Sequence, residues 1–132
     1  MAKDILLSLS ENEKIRIVTH SMGAAFAKGF LFAMVLRLGT SVLDIIEEEL
    51  DVAPFEPSKQ AAIIGITTRT MQHTDDGVAG YGKMKDAEQL EPTKVTEKKH
   101  TLKAHEIISF SDELRQYFKE TREEMEAFRR RK

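Results

Sequence analysis

Apolar residues in the first third of the chain return every seven positions. Ile15, Met22, Gly29, Leu36, Leu43 and Leu50 hold one place in this repeat, and Val18, Ala25, Phe32, Gly39 and Ile46 hold the place three residues later. A heptad sustained in this way predicts an α-helix with a packing seam. Its start is also marked, because Ser10 and Glu13 stand at the spacing of a capping box, in which hydroxyl and carboxylate each take up a free amide of the first turn. Between residues 22 and 38 the pattern thickens: Phe26, Phe30, Leu31, Met34, Val35 and Leu38 fall off the seam, so the helix is apolar nearly all round. A helix of that kind is central in a bundle or covered by a partner. The expectation is a long apolar N-terminal helix from residue 10, bent or broken at Gly39, Thr40 and Ser41 and resuming from Val42 to Leu50.

A second helical period lies at the other end. Leu114, Phe118, Thr121, Met125 and Phe128 follow at three- and four-residue spacing behind Ser111, a suitable N-cap, and Glu126 and Arg130 form an i,i+4 pair. Pro54 and Pro57 enclose a linker over residues 51–57. Residues 58–73 read in two ways: a short helix-turn-helix with Gly65 at the turn, or a strand over 63–71 favoured by β-branched residues. Residues 74–97 carry three glycines, a proline and many charges without a period, which predicts a long loop. The whole reads as mainly α and as a single domain over residues 1–132. Its parts are a helical core and oligomerisation segment at 10–50, the linker, the short element, the loop, and an amphipathic C-terminal helix within 98–132.

Length and charge narrow the function classes. At 132 residues the chain has room for one modest core, and little apolar material remains outside the long helix to wrap it. Self-association follows, with Ile15, Val18, Met22, Ala25, Gly29, Phe32 and Leu36 as the expected oligomer interface. The chain has no cysteine, which excludes disulfide staples, zinc ribbons and thiol nucleophiles and suits a cytoplasmic location. Lys and Arg number 20 against 22 Asp and Glu, so there is no basic excess of the kind that neutralises phosphates. The longest charge-free stretch of the apolar segment, residues 29–36, is far short of the roughly 20 residues a membrane span needs.

The candidate chemistry is thin. Ala61, Gly65, Ile64, Ile66 and Met71 resemble the helix-turn-helix of DNA-binding regulators, which would put Thr67, Thr68, Arg69 and Gln72 on a recognition helix facing duplex DNA. Thr74, Asp75 and Asp76 then stand where an apolar closing residue and a phosphate-tolerant surface are needed. Gly77, Gly80 and Gly82 before Lys83 match neither a P-loop nor a dinucleotide fingerprint. His20, His73, His100 and His105 are scattered, His100 and His105 are wrongly spaced for one helical face, and His73 with Asp75 is the only acid–base or metal seed. Glu47, Glu48, Glu49 and Asp51 crowd a helix C-terminus and would attract the basic run from Arg129 to Lys132. No serine reads as a nucleophile elbow. The expectation is therefore a non-enzymatic, self-associating helical protein that works through a protein partner and holds no cofactor or metal. A small DNA-binding regulator is the alternative, and a membrane-associated protein the second alternative.

Overall fold

The computed structural model describes residues 4, 7–9, 13–73, 76, 82–90 and 105–131. They build an α/β fold around a four-stranded parallel sheet. Strand β1 is Ile15–His20, helix α1 is Gly23–Leu38, β2 is Ile46–Val52, β3 is Thr68–Met71, β4 is Glu88–Gln89 and helix α2 is Ser111–Arg131. The strands lie in chain order, β1 on β2, β2 on β3 and β3 on β4, all parallel. The mainly α bundle is thereby corrected: the heptad of the first third spans a strand, a helix, a 3-10 turn and a second strand.

Local chemistry explains the correction. Four of the six residues of β1, Ile15, Ile17, Val18 and Thr19, are β-branched and lose side-chain freedom in a helix, whereas a pleated strand accommodates them. The strand alternates: Ile15 and Ile17 pack with α1, while Arg16 meets Glu48 and the Phe118 ring on the other face. Seven-residue recurrence cannot distinguish this arrangement from one continuous helix, because each element is shorter than two repeats or little longer. Helix α1 starts at Gly23, and its end is set by Gly39, whose φ of 89° only a residue without Cβ adopts freely and whose amide caps the Val35 carbonyl at 2.9 Å. Ser10 of the expected capping box lies outside the described residues.

Two cores flank the sheet. Between α1 and the strands, Leu31, Met34, Val42, Ile46 and Ile66 are buried together; between the strands and α2, Leu50, Val52, Ala53, Met71 and Phe110 are buried, with Leu114, Tyr117 and Phe118 against them. Each large residue here, Leu31 or Leu50 for instance, contributes about 2–5 kcal/mol against truncation to alanine.

The segment 58–73 is not a helix-turn-helix. It forms a 3-10 turn at Pro57–Lys59, a β-bridge from Ala61 to Lys85, a bend at Gly65 and then β3. Nor is the run from Glu47 to Asp51 a helix end. It is the body of β2, and its carboxylates are matched inside the fold: Glu48 by Arg16 and Arg69 at 2.6 Å each, Glu49 and Asp51 by Lys28 at 2.8 and 2.7 Å. Asp51 and Val52 of the expected linker close that strand, and Pro54 and Pro57 are buried. Within the expected long loop, the described part holds β4 and the buried Asp76. Among the described residues no helix is long and apolar enough to cross a membrane.

Candidate functional site

The C-terminal end of β1 leads into Ser21, one of four non-glycine residues with positive φ among the described residues. Ser21 follows His20, the last residue of the strand, and Met22 and Gly23 open α1, so the chain turns from strand to helix on Ser21 with a φ of 55°. A serine in the left-handed region costs on the order of 1–3 kcal/mol and persists only where its surroundings enforce it. Three backbone bonds do so. The Ser21 amide donates to the Val52 carbonyl at 3.1 Å, and the Ser21 carbonyl accepts from Ala24 at 3.3 Å and from Phe55 at 3.2 Å. Beneath the turn, the Thr19 hydroxyl donates to Asp51 at 2.6 Å and ties β1 to β2.

The side chain aimed by this turn meets a histidine 84 positions away. Ser21 Oγ lies 2.7 Å from His105 Nε2, and His105 Nδ1 lies 2.7 Å from Asp76 Oδ2. Asp76 accepts from Nδ1–H, which leaves the Nε2 lone pair to accept from the serine hydroxyl. Serine, imidazole and carboxylate thus form one directed hydrogen-bond chain. The Asp76 side chain is fully buried and that of His105 is 13% exposed, so the inner link is shielded from water while the outer end faces the surface.

Each member is held by neighbours. His20 Nε2–H donates to the His105 carbonyl at 2.6 Å, and the two imidazole rings are 5.2 Å apart, so the residue before the serine positions the backbone of the distant histidine. Asp76 donates its amide to the His73 carbonyl at 3.3 Å, and the His73 ring stacks on Phe110 at 4.0 Å, which anchors the carboxylate to the second core. The Met22 amide is at the N-terminal end of α1, where helix amides point outward and the dipole favours negative charge.

The residues singled out from the sequence lie elsewhere. Ile15 and Val18 are on β1, Ile15 turned toward the first core and Val18 exposed; Met22, Ala25, Gly29, Phe32 and Leu36 line the outward face of α1. Arg69 is on β3, bonded to Glu48, Glu88 and the Tyr117 hydroxyl, while Thr68 is buried, Gln72 half-buried and Thr67 exposed. The structure brings no recognition helix to these four. His73 is a stacked core residue, and Asp75 lies outside the described residues. Among the described residues no cluster of His, Asp and Glu has the makings of a metal site. A polar cleft of about 470 Å³ over the α2 face, bordered by Glu47, Glu88 and Glu120, has its central Glu48 already engaged by Arg16, Arg69 and Tyr117.

Ser21, His105 and Asp76 were thus passed over as a set. One signal was present: Thr19, His20, Ser21, Met22 and Gly23 match the last three places of the G-x-S-x-G elbow, with Thr19 where the first glycine stands. The β-branched run before Ser21 supplies the strand that the motif requires. Comparison with protein-family models, curated proteins and solved structures finds no match to this chain.

Proposed function

We propose that this protein is a serine hydrolase that cleaves carboxylic esters or chemically related acyl compounds through an acyl-enzyme. The observation that carries the reading is the unbroken chain from Ser21 Oγ through His105 to Asp76, with both links at 2.7 Å. The Ser21 hydroxyl oxygen attacks the substrate carbonyl as His105 Nε2 takes its proton, and the charge formed on the carbonyl oxygen is met by the Met22 amide at the head of α1. Collapse of the tetrahedral adduct breaks the bond to the leaving group, which receives the proton from His105. Water then repeats the sequence on the acyl-serine and frees the acid. Asp76 holds the imidazole in the required tautomer and stabilises its charged form.

Two further features support the reading. The strained strand-to-helix turn at the nucleophile and the chain order Ser21, Asp76, His105 are those of α/β-hydrolases, an analogy of fold that adds weight without naming a substrate. Beside the serine, Met22 and Phe55 expose apolar side chains, which suits an acyl group with hydrocarbon character.

The test is covalent labelling. A fluorophosphonate probe should modify Ser21, identified by peptide mass, and p-nitrophenyl butyrate should be hydrolysed at a rate that falls by about 10³-fold or more in Ser21→Ala. Esterase activity that survives this substitution, or a folded protein whose Ser21 is never labelled, would refute the proposal.

A further inference from the structure

Helix α1 packs Ala24, Ala27, Leu31 and Met34 on the sheet, and its opposite face should be charged if water covered it. It is not. Met22, Phe26, Phe32 and Leu36 stand there 70%, 70%, 59% and 71% exposed, with exposed Ala25, Gly29 and Ala33 between them, and the exposed Arg37 of the last turn is the charged residue at the margin of this face. The one lysine of the helix, Lys28, is turned inward to Glu49 and Asp51. The exposed parts of the four large side chains come to roughly 500 Å², toward the upper end of the largest apolar patch that monomers leave exposed and over half of the ~800 Å² per partner in a standard interface.

The order of residues on this face identifies what covers it. About Gly29 the face reads alike in both directions: Phe26 and Phe32 are three residues away on either side, Ala25 and Ala33 four, and Met22 and Leu36 seven. A second copy laid antiparallel across a two-fold axis at Gly29 therefore sets aromatic against aromatic, small against small and long aliphatic against long aliphatic. That is the self-complementarity an isologous interface needs. Gly29 supplies an independent observation. A Cβ built on it meets nothing within 4 Å, so packing within one chain gives no reason for glycine in mid-helix, whereas a close helix crossing does.

We infer that the protein is a dimer in which α1 pairs antiparallel with α1 of a second copy about a two-fold axis at Gly29. Leu36 of the partner subunit then lies against Met22, the residue next to Ser21, so the partner's helix end walls the mouth of the candidate site. The pairing itself does not depend on the hydrolase reading.

Sedimentation at micromolar concentration should give twice the 15.0 kDa chain mass. Because the chain has no native cysteine, the double variant Ala25→Cys/Ala33→Cys sets thiols opposite each other across the axis, and mild oxidation should link nearly all of it into a covalent dimer, while a thiol on the outer side of α2, Glu123→Cys, should stay unlinked. Phe32→Glu, and separately Leu36→Lys, should halve the sedimenting mass with the circular dichroism spectrum unchanged. A monomeric wild type overturns the inference, as does a dimer in which Ala25→Cys/Ala33→Cys fails to link. A monomer that floats with phosphatidylcholine vesicles also overturns it and assigns the face to lipid. Fluorophosphonate labelling of the same samples reads the hydrolase proposal separately, since Ser21 is either labelled or not whatever the mass.

Discussion

Two buried carboxylate clusters lie on either side of Thr19, and they differ in how their hydrogen bonds end. In the body of the sheet, Lys28 Nζ donates to Glu49, Asp51 and the Ala24 carbonyl, and Thr19 donates to Asp51, so the network closes on itself beneath α1. At the tip of β1, Asp76 orders His105, His105 faces Ser21, and the series ends on a hydroxyl near the surface. The first arrangement neutralises charge and holds two strands and a helix together. The second delivers a lone pair to a group that can react. Burial and opposite charge are common to both, so neither distinguishes them; the open end on the Ser21 turn does.

The sharpest way to break this comparison is to change one charged residue in each cluster. Asp76→Asn keeps volume and burial but no longer enforces the Nδ1–H tautomer of His105, so esterase turnover should fall by about 10⁴-fold with the fold intact. Activity assays read beside thermal unfolding check this. A small loss of turnover accompanied by a large loss of stability would make Asp76 a structural residue like Asp51.

In the closed network the balance should reverse. Lys28 is 12% exposed and, among the described residues, is the cation that reaches both Glu49 and Asp51, whose side chains are fully buried. Lys28→Met removes it and leaves two buried carboxyl groups without their cation, which should lower stability by about 3 kcal/mol at pH 8. Urea unfolding measures the loss. In the fraction that remains folded, fluorophosphonate labelling of Ser21 should proceed at nearly the wild-type rate, because no bond of Lys28 reaches Ser21, His105 or Asp76.

The same contrast explains what the sequence made legible. Helix α2 is readable because Leu114 and Phe118 face the core and residues such as Lys119 and Glu120 face water, so local period and tertiary environment agree. A strand over 63–71 was one of two readings for its segment; the strand forms over 68–71, where Thr68 and Thr70 pair with β2, while Ile63, Ile64 and Ile66 precede it in the turn. The N-terminal third misled for a physical reason. Heptad spacing was counted through Ser21, where the backbone reverses from strand to helix, and nothing in periodicity registers a single left-handed residue. The exposed apolar face of α1 then reinforced the error, since a helix apolar on both sides looks central. Within the candidate site Ser21 had a partial motif, but His105 and Asp76 had none: 84 and 55 positions separate them from Ser21, and only the packing of the segments carrying them onto the strand ends brings them together.

The smallest expected effect concerns Glu49. Burial first, then its hydrogen bond and repulsion with Asp51, push its carboxyl from 4.5 up to about 7, against the pull of Lys28. As a carboxylate its Oε2 finds no donor, whereas the protonated form can donate to Asp51. A pKa raised in the folded state means that the native protein holds this proton more tightly than the unfolded chain does. The stabilisation is therefore complete below pH 4.5, declines as pH rises and is gone above about 7, a span worth on the order of 3 kcal/mol. Glu49→Gln keeps a donor toward Asp51 at every pH. Relative to wild type its stability should rise between pH 5 and pH 8 and level off there, as measured by urea unfolding across that range. A constant difference at all pH values would show that the folded protein holds the Glu49 proton no more tightly than the unfolded chain does.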